Sequence, residues 1–489
     1  MLSDGKAFVV KTSVRGESGV VTSEHALSSI AGLYVLNRGG NAVDASVTVS
    51  FVLSVVQPSL CGLGGDFMAM IYNDGSVRFI NGSGWAPEGL ESAIRKKGLA
   101  KVPRFGPLSP VVPGFVYGVY EMWKKYGSME WKELLEMPVR IAENGLVVSG
   151  RLAAAVKEML SGYHDEATAS IYGKGQWERI ELKGLAEVMK GLAEYGPEYF
   201  YDEVSKDIAD YVQSLGGVMK KEDFASFRPE EVEPLSLEYR GYRIYESPPN
   251  SQGITTLMIL NQLSGERLEF DDEGIKRALK AYEAAYAVRD RYVGDPRFVN
   301  VPVERLLNVS AKPDDIRIED GDTTNFVVMD DKGMVVSGIQ SLYYSFGSRI
   351  THPKHMIVLN NRASDFKLSG PNSLKPHKRP LHTLSSVIAT KNASFSFALG
   401  ISGGHYRPQQ HFLIIANIID RGMNIGEAIE APRFLWDGKQ VFAEEGINAG
   451  IKKIRYPGAT GVGHGVQLVG RERLAYADVR GDGIAIGQI

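Results

Sequence analysis

The chain predicts an α+β fold, a four-layer αββα sandwich, on three observations. Its strands come in two batches, each attached to its own helices, and two such sheets are best buried by stacking them and cladding them with helices. The two batches are separated by Ala311–Gly321, a charged tract broken by Pro313 and Gly321 and too polar to pack. The length, 489 residues with 44% hydrophobic and 23% charged, provides core enough for one large layered body.

The elements follow in order. Ser23 reads as an N-cap, and Ala26, Ile30, Leu33 and Leu36 as the stripe of a helix stopped by Gly39-Gly40. A second, apolar helix begins after Asn41 and ends at Pro58. A glycine loop, Cys61 to Asp66, leads into the strand Phe67–Tyr72, and Asn73-Asp74-Gly75-Ser76 turns it into Val77–Ile80. Helices are expected at 115–126, 131–143, 152–160, 182–195 and 204–215, a strand at 239–245, and helices at 253–263 and 274–292. After the tether, Phe326–Met329 and Met334–Ile339 flank Asp330-Asp331-Lys332-Gly333 as a hairpin, which makes Thr323 the first residue of a strand. The remainder is strand-rich apart from helices at about 409–421 and 425–431.

Composition excludes several function classes. With 55 basic against 58 acidic residues, nothing invites a nucleic acid or a membrane surface. One cysteine, Cys61, rules out an internal disulfide and multi-cysteine metal sites and reads as a small buried residue. The nine histidines form no HExxH or helical ligand pair. The glycine loop is not followed by Lys-Ser/Thr or a helix, so it is not a nucleotide cradle. The first residues carry no secretory pattern and the longest apolar run, about 42–56, falls short of the ~20 residues of a bilayer span. The chain therefore reads as cytoplasmic, free of metal and cofactor, and acting on a small molecule; homo-oligomerisation is left open.

The chemistry points to Asp322-Thr323. A threonine hydroxyl is a weak nucleophile unless a base adjoins it. A threonine released as a new N-terminus has that base in its own α-amine, whose pKa of about 7.7–8.0 suits neutral solution. Its Oγ would attack the Asp322 carbonyl, shift the acyl group from N to O, and leave an ester for water to hydrolyse. Gly403-Gly404, following the apolar strand around Phe395–Leu399, supply candidate backbone donors for an oxyanion. His405 and His411, six apart and flanking Arg407-Pro408-Gln409-Gln410, are placed to line a pocket or cap a helix, with structural roles favoured.

These residues together resemble the γ-glutamyltransferase (glutathione hydrolase) family of N-terminal nucleophile hydrolases over nearly the whole chain. The resemblance lies in Gly39–Ala45, Gly62–Met68, Gly294–Val299, Asp322–Val328, Leu359–Arg362, Lys378–Leu381 and Ala431–Phe434. It implies the αββα fold, a nucleophile and cleavage site at Thr323 after Asp322, an oxyanion hole at Gly403 and Gly404, and Ser341 as the hydroxyl supporting the nucleophile. It implies a large segment, 1–322, and a small segment, 323–489, that stay associated in one structural domain. Substrate recognition departs from the family pattern. Ser92 falls where an arginine clamps the glutamyl carboxylate, Tyr343 replaces Asn, Arg362 replaces Gln, and His382-Thr383 replace Ser-Ser, while Asp365, the amine-binding carboxylate, matches. The segment 367–377 is shorter than a lid. These departures resemble a branch that includes oxamate amidohydrolase-like proteins, with Arg362 as the cation for an acyl-side carboxylate or, alternatively, as an ion-pair partner of Asp365. The implied activity is an autoprocessed amidohydrolase or acyltransferase for small acidic amides. The alternatives are true γ-glutamyl transfer, and an uncleaved, silent binding homologue.

Overall fold

The structure is a computed structural model, and it describes residues 11–308, 318 and 321–489. The expectation of a polar tether falls mostly on residues outside these.

Two seven-stranded sheets lie face to face. In one, Asp322–Met329 and Val335–Tyr343 run side by side, flanked by Val20–Ser23 on one side and Asp66–Asn73 on the other. In the other, Ser394–Ile401 sits between Gly463–Val469 and Val387–Lys391, and the latter pairs with Tyr242–Glu246. Both sheets thus contain strands from before and from after residue 322. The inner faces meet through Met68, Met70, Val327, Ile339, Ile388 and Ala398, all buried, a spacing of two along each strand that directs alternate side chains inward. Helices cover the outer faces. Ala42–Val56, buried along its whole length, lies against the first sheet, and Gly253–Gln262, Asp272–Tyr292 and Arg407–Ile419 lie against the second. This is the four-layer αββα arrangement.

Local sequence accounts for the parts that frame the site. Asn41 caps the helix Ala42–Val56, accepting from the Val43 and Asp44 N–H groups, while Asp44 reciprocates to the Asn41 N–H and also accepts from Ser128. The expected hairpin forms between Asp322–Met329 and Val335–Tyr343. Asp330 organises its turn by accepting from Lys332 and Met334, and its other oxygen accepts from the Ala42 N–H, tying the turn to the helix start.

Three expectations are corrected. The first helix is Ala26–Asn37, capped by His25, because Ser23 ends a strand and uses its hydroxyl on Ser28 and Ser29. Its buried face is made of small residues, Ser28, Ser29, Ala31 and Gly32 with Val35 and Leu36, which allows close approach to the neighbouring helix and turns Ile30 outward at 47% exposure. The segment 239–245 is not one strand but the meeting of two, Leu235–Tyr239 and Tyr242–Glu246, because Arg240 and Gly241 both adopt positive φ and make a two-residue hairpin turn. Short helices at Leu90–Lys96 and Glu166–Tyr172 and a π-helical turn at Tyr199–Val204 were not anticipated.

Candidate functional site

The hairpin changes character at its open end. From Thr324 onward the ladder is regular, but between Asp322 and Thr324 the register slips, with Asp322 opposite Tyr343 and Thr324 opposite Gln340. Thr323 lies in that break, nearly buried at 3% exposure. Across from it, Tyr343 holds φ at +88°, a conformation that costs a bulky residue on the order of 1–3 kcal/mol and that clusters at functional sites. Ser341 links the two strands: its hydroxyl donates to the Asp322 carbonyl at 2.7 Å and accepts from the Tyr343 N–H at 2.7 Å. The carbonyl before Thr323 is therefore already polarised by a hydroxyl. Behind Ser341 the glycine loop packs so closely that a Cβ on Gly65 would stand 2.5 Å from the Ser341 carbonyl oxygen.

Gly403 and Gly404 come to the same place from the other sheet. Both take positive φ, +126° and +52°, and a Cβ on Gly403 would meet the Gln410 amide at 2.6 Å, so the turn requires glycine. A Cβ on Gly321 would lie 3.3 Å from Gly404 Cα and 3.4 Å from the Tyr343 ring, which places the turn against the Gly321–Thr323 link. Among the described residues neither glycine N–H is given to an acceptor, while the Gly404 carbonyl is held by Gln252 Nε2 at 2.9 Å.

A buried charged cluster lies beneath. Arg362, with no exposed surface, stacks its guanidinium 4.1 Å from the Tyr343 ring centre and directs Nη1 to Thr383 Oγ1 at 2.9 Å, Nη2 to Ser341 Oγ at 3.4 Å and Nε to Asp66 at 3.4 Å. Its ion-pair partner is thus Asp66, and no ion pair with Asp365 forms. Asp66 also accepts from the Gly84 N–H at 2.7 Å and from His382 Nε2 at 3.1 Å. Burial pushes the Asp66 carboxyl up, but the His382 hydrogen bond and the neighbouring charges hold its pKa below the usual range. Burial, reinforced by Arg362, lowers His382 to about 4, so its ring is neutral at pH 7. Its Nδ1 accepts from the Leu384 N–H, which assigns the proton to Nε2.

Asp365 closes the other side. It accepts from Tyr343 Oη at 3.1 Å and faces His405 Nε2 at 3.3 Å, and its Oδ2 has no partner among the described residues. Burial raises its pKa, but His405 and Arg362 outweigh that and bring it down to about 2. His405 is fixed in turn: Arg289, itself buried, donates to its Nδ1 at 3.1 Å and to Gln252 Oε1 at 3.0 Å.

The structure therefore gathers Thr323, Ser341, Tyr343, Arg362, Asp365, Thr383, Gly403 and Gly404 around one link, with His382 one layer behind through Asp66. Sequence reasoning did not find Asp66, Gln252, Arg289 or the role of His405 as a contact of Asp365 and Tyr343. Each is far in sequence from its partners and carries no motif of its own. His411 is structural, its Nδ1 2.6 Å from buried Glu246, and burial pushes the Cys61 thiol up. Among the described residues no three His, Cys, Asp or Glu gather as metal ligands, and no helix is long and apolar enough to cross a membrane.

The family model for gamma-glutamyltranspeptidase matches residues 28–487. The glutathione hydrolase-like YwrD proenzyme of Bacillus subtilis is 34% identical over 97% of this chain and 99% of its own. The glutathione hydrolase proenzyme of Escherichia coli is 31% identical over 90% of this chain and 85% of its own. Among solved structures, cephalosporin acylase from Bacillus halodurans superimposes with a TM-score of 0.90 over the full length of both chains at 30% identity.

Proposed function

The chain belongs to the gamma-glutamyltranspeptidase family of enzymes, and from that premise we propose that it is a self-cleaving threonine amidohydrolase or acyltransferase with Thr323 as its nucleophile. The observation that carries this reading is the 2.7 Å hydrogen bond from Ser341 to the carbonyl of Asp322 at a break in the ladder. In maturation, Thr323 Oγ attacks that carbonyl carbon, Ser341 stabilises the oxyanion, and collapse breaks the C–N bond to give an ester on Oγ and a free amine on Thr323. Water then splits the ester into the Asp322 carboxylate and the Thr323 hydroxyl.

In turnover the α-amine takes the Oγ proton as Oγ adds to the substrate amide. The Gly403 and Gly404 N–H groups hold the oxyanion, a contribution worth on the order of 10²–10³ in rate per donor. The amine passes the proton to the departing nitrogen, and water or a second amine resolves the acyl-enzyme. Arg362 brings positive charge to the floor of the acyl pocket through the Ser341 and Thr383 hydroxyls, and favours small acyl groups bearing a carboxylate. Tyr343 and Asp365 form the wall, with His382 holding Asp66 in place under Arg362. The interleaved strands keep 1–322 and 323–489 together after cleavage.

A second reading, γ-glutamyl transfer or glutathione hydrolysis, draws support from the names of the relatives and from the unpartnered Asp365 Oδ2, which suits an α-amine. A γ-glutamyl anilide assayed beside a panel of acidic amides separates the two. On a denaturing gel the wild type is expected as two fragments and Thr323→Ala as one. Two fragments from Thr323→Ala would defeat the proposal.

A further inference from the structure

Asn325 stands two residues beyond Thr323, fully buried, and the chemistry described above makes no use of it. Its amide bridges the two sheets. Nδ2 donates to the Val462 carbonyl at 3.0 Å, and Oδ1 stands 3.0 Å from His464 Nδ1. An amide oxygen only accepts, so Nδ1 is the ring nitrogen that carries the proton. The same Val462 carbonyl accepts from the Ser402 N–H at 2.9 Å, and the Val462 N–H donates to Ser402 Oγ at 2.8 Å. Gly403 and Gly404 follow directly. A continuous path of hydrogen bonds thus runs from the strand that carries Thr323 to the glycine turn that faces it. The path is tightly packed: a Cβ on Gly400 would lie 3.1 Å from the Asn325 amide oxygen, and one on Gly483 would lie 2.6 Å from His464 Nε2.

We propose that Asn325 and His464 are positioning residues that hold the oxyanion turn at Gly403-Gly404 against Thr323, and that Glu24 sets the pH range over which they do so. The proposal rests on the Thr323 reading. A glycine donor has no side chain to anchor it, so its place is fixed through Ser402 and the groups bonded to Ser402. Misplacement by about 1 Å costs on the order of 10²-fold in rate.

Glu24 follows Ser23, which pairs with Phe326 of the nucleophile strand, and this sets it beside Asn325. Its Oε2 is buried, stands 4.0 Å from His464 Nδ1 and has no hydrogen-bond partner among the described residues. Burial pushes this carboxyl well above the ordinary range; Arg151 opposes the rise, and Asp478, Asp482 and Asp322 add to it. The buried Cys61 thiol faces the same carboxyl. Burial brings His464 down to about 3, against the pull of Asp478 and with the help of Lys11. Both groups are therefore neutral over a range of pH in which an exposed pair would be charged, and the Nδ1 proton goes to Asn325. Ionisation of Glu24 sets a negative charge 4.0 Å from Nδ1. That charge draws the proton from Asn325 and loosens the path to the turn.

The test is steady-state kinetics of the matured protein from about pH 6 to 10, on whichever of γ-glutamyl anilide, oxamate and succinamate it hydrolyses fastest. Cleavage is read on the same samples by denaturing gel. Asn325→Ala is expected to mature into two fragments, since Ser341 alone serves the Asp322 carbonyl. Its kcat should nevertheless fall about 10²-fold with KM within about twofold of wild type, because the acyl pocket is untouched. Ser402→Ala, at a half-buried position that tolerates truncation, should show the same split with a loss of about tenfold. The wild-type kcat should decline at the alkaline end, and Glu24→Gln, which cannot ionise, should remove the decline. A wild-type kcat in cleaved Asn325→Ala and Ser402→Ala, a loss expressed in KM, or a folded Asn325→Ala that stays whole overturns the positioning role. An alkaline decline that persists in Glu24→Gln, or none in the wild type, removes Glu24 from it. A wild type that stays whole, or that matures and hydrolyses none of the three amides, counts against the Thr323 reading instead.

Discussion

The two ends of one hairpin obey different rules. Toward its turn, Val327 and Ile339 face the opposite sheet in regular register, and burial of apolar surface dictates the structure. At the open end the same two strands lose register, Tyr343 sits at positive φ, and a buried arginine, aspartate and histidine take the place of aliphatic side chains. The closed end provides rigidity, and the open end uses it to hold an arrangement that is costly by itself. The difference teaches that stability and chemistry are separable along a single strand pair, which substitutions at either end can test.

The largest effect is expected at the nucleophile. Thr323→Ala should abolish self-cleavage and lower amide turnover by on the order of 10⁴-fold or more, measured by gel and by product release, with the melting temperature little changed. Next comes the buried charge. Arg362→Ala leaves Asp66 without its cation and should cost about 3–5 kcal/mol in chemical denaturation; it should also raise the KM for acidic acyl substrates. An unchanged KM would remove Arg362 from substrate recognition while leaving its structural role intact.

Ser341→Ala deletes the donor to the Asp322 carbonyl. Its cleavage rate, followed from freshly folded precursor, should fall about 10²–10³-fold. The neutral His382 gives a pH signature. Its folded pKa, about 4, lies below the ordinary histidine value of 6.5, so between these values the unfolded chain binds the extra proton and stability rises with pH. The contribution, roughly 3 kcal/mol, is fully present above pH 6.5 and lost as pH falls toward 4. His382→Asn should flatten that part of the stability profile, and an unchanged slope would assign it elsewhere. Asp365, depressed to about 2, contributes in the same sense at lower pH: its stabilisation is present above the ordinary carboxylate range and is lost as pH falls through about 2. The smallest effect belongs to the closed end. Ile339→Val should cost about 0.5–1.5 kcal/mol and leave the cleavage rate of folded molecules as it was; a slowed rate would show that the two ends are coupled.

Much of this was legible before any coordinates. The hairpin around Asp330–Gly333 announces itself by apolar runs on either side of a polar turn, and the capped helix after Asn41 by its Asn-to-Asp spacing. Thr323 stands out because the chain changes there from charged tract to strand. Legibility fails where apolar character ceases to be the criterion. The first helix buries serines and glycine and exposes Ile30, since close packing of two helices needs small residues more than apolar ones. The 239–245 segment looks continuous because Arg240 gives no hint that it accepts positive φ. Asp66, Arg289 and Gln252 read as ordinary polar residues, since their partners, His382, His405 and Gly404, come from distant parts of the chain and only the fold brings them together.

The central claim is tested most directly by intact mass spectrometry of purified, folded protein after incubation. The account predicts two polypeptides whose masses correspond to 1–322 and 323–489, with amide turnover appearing in step with them and both absent from Thr323→Ala. A single chain, whole across the 322–323 link and turning over amides at full rate, would contradict it.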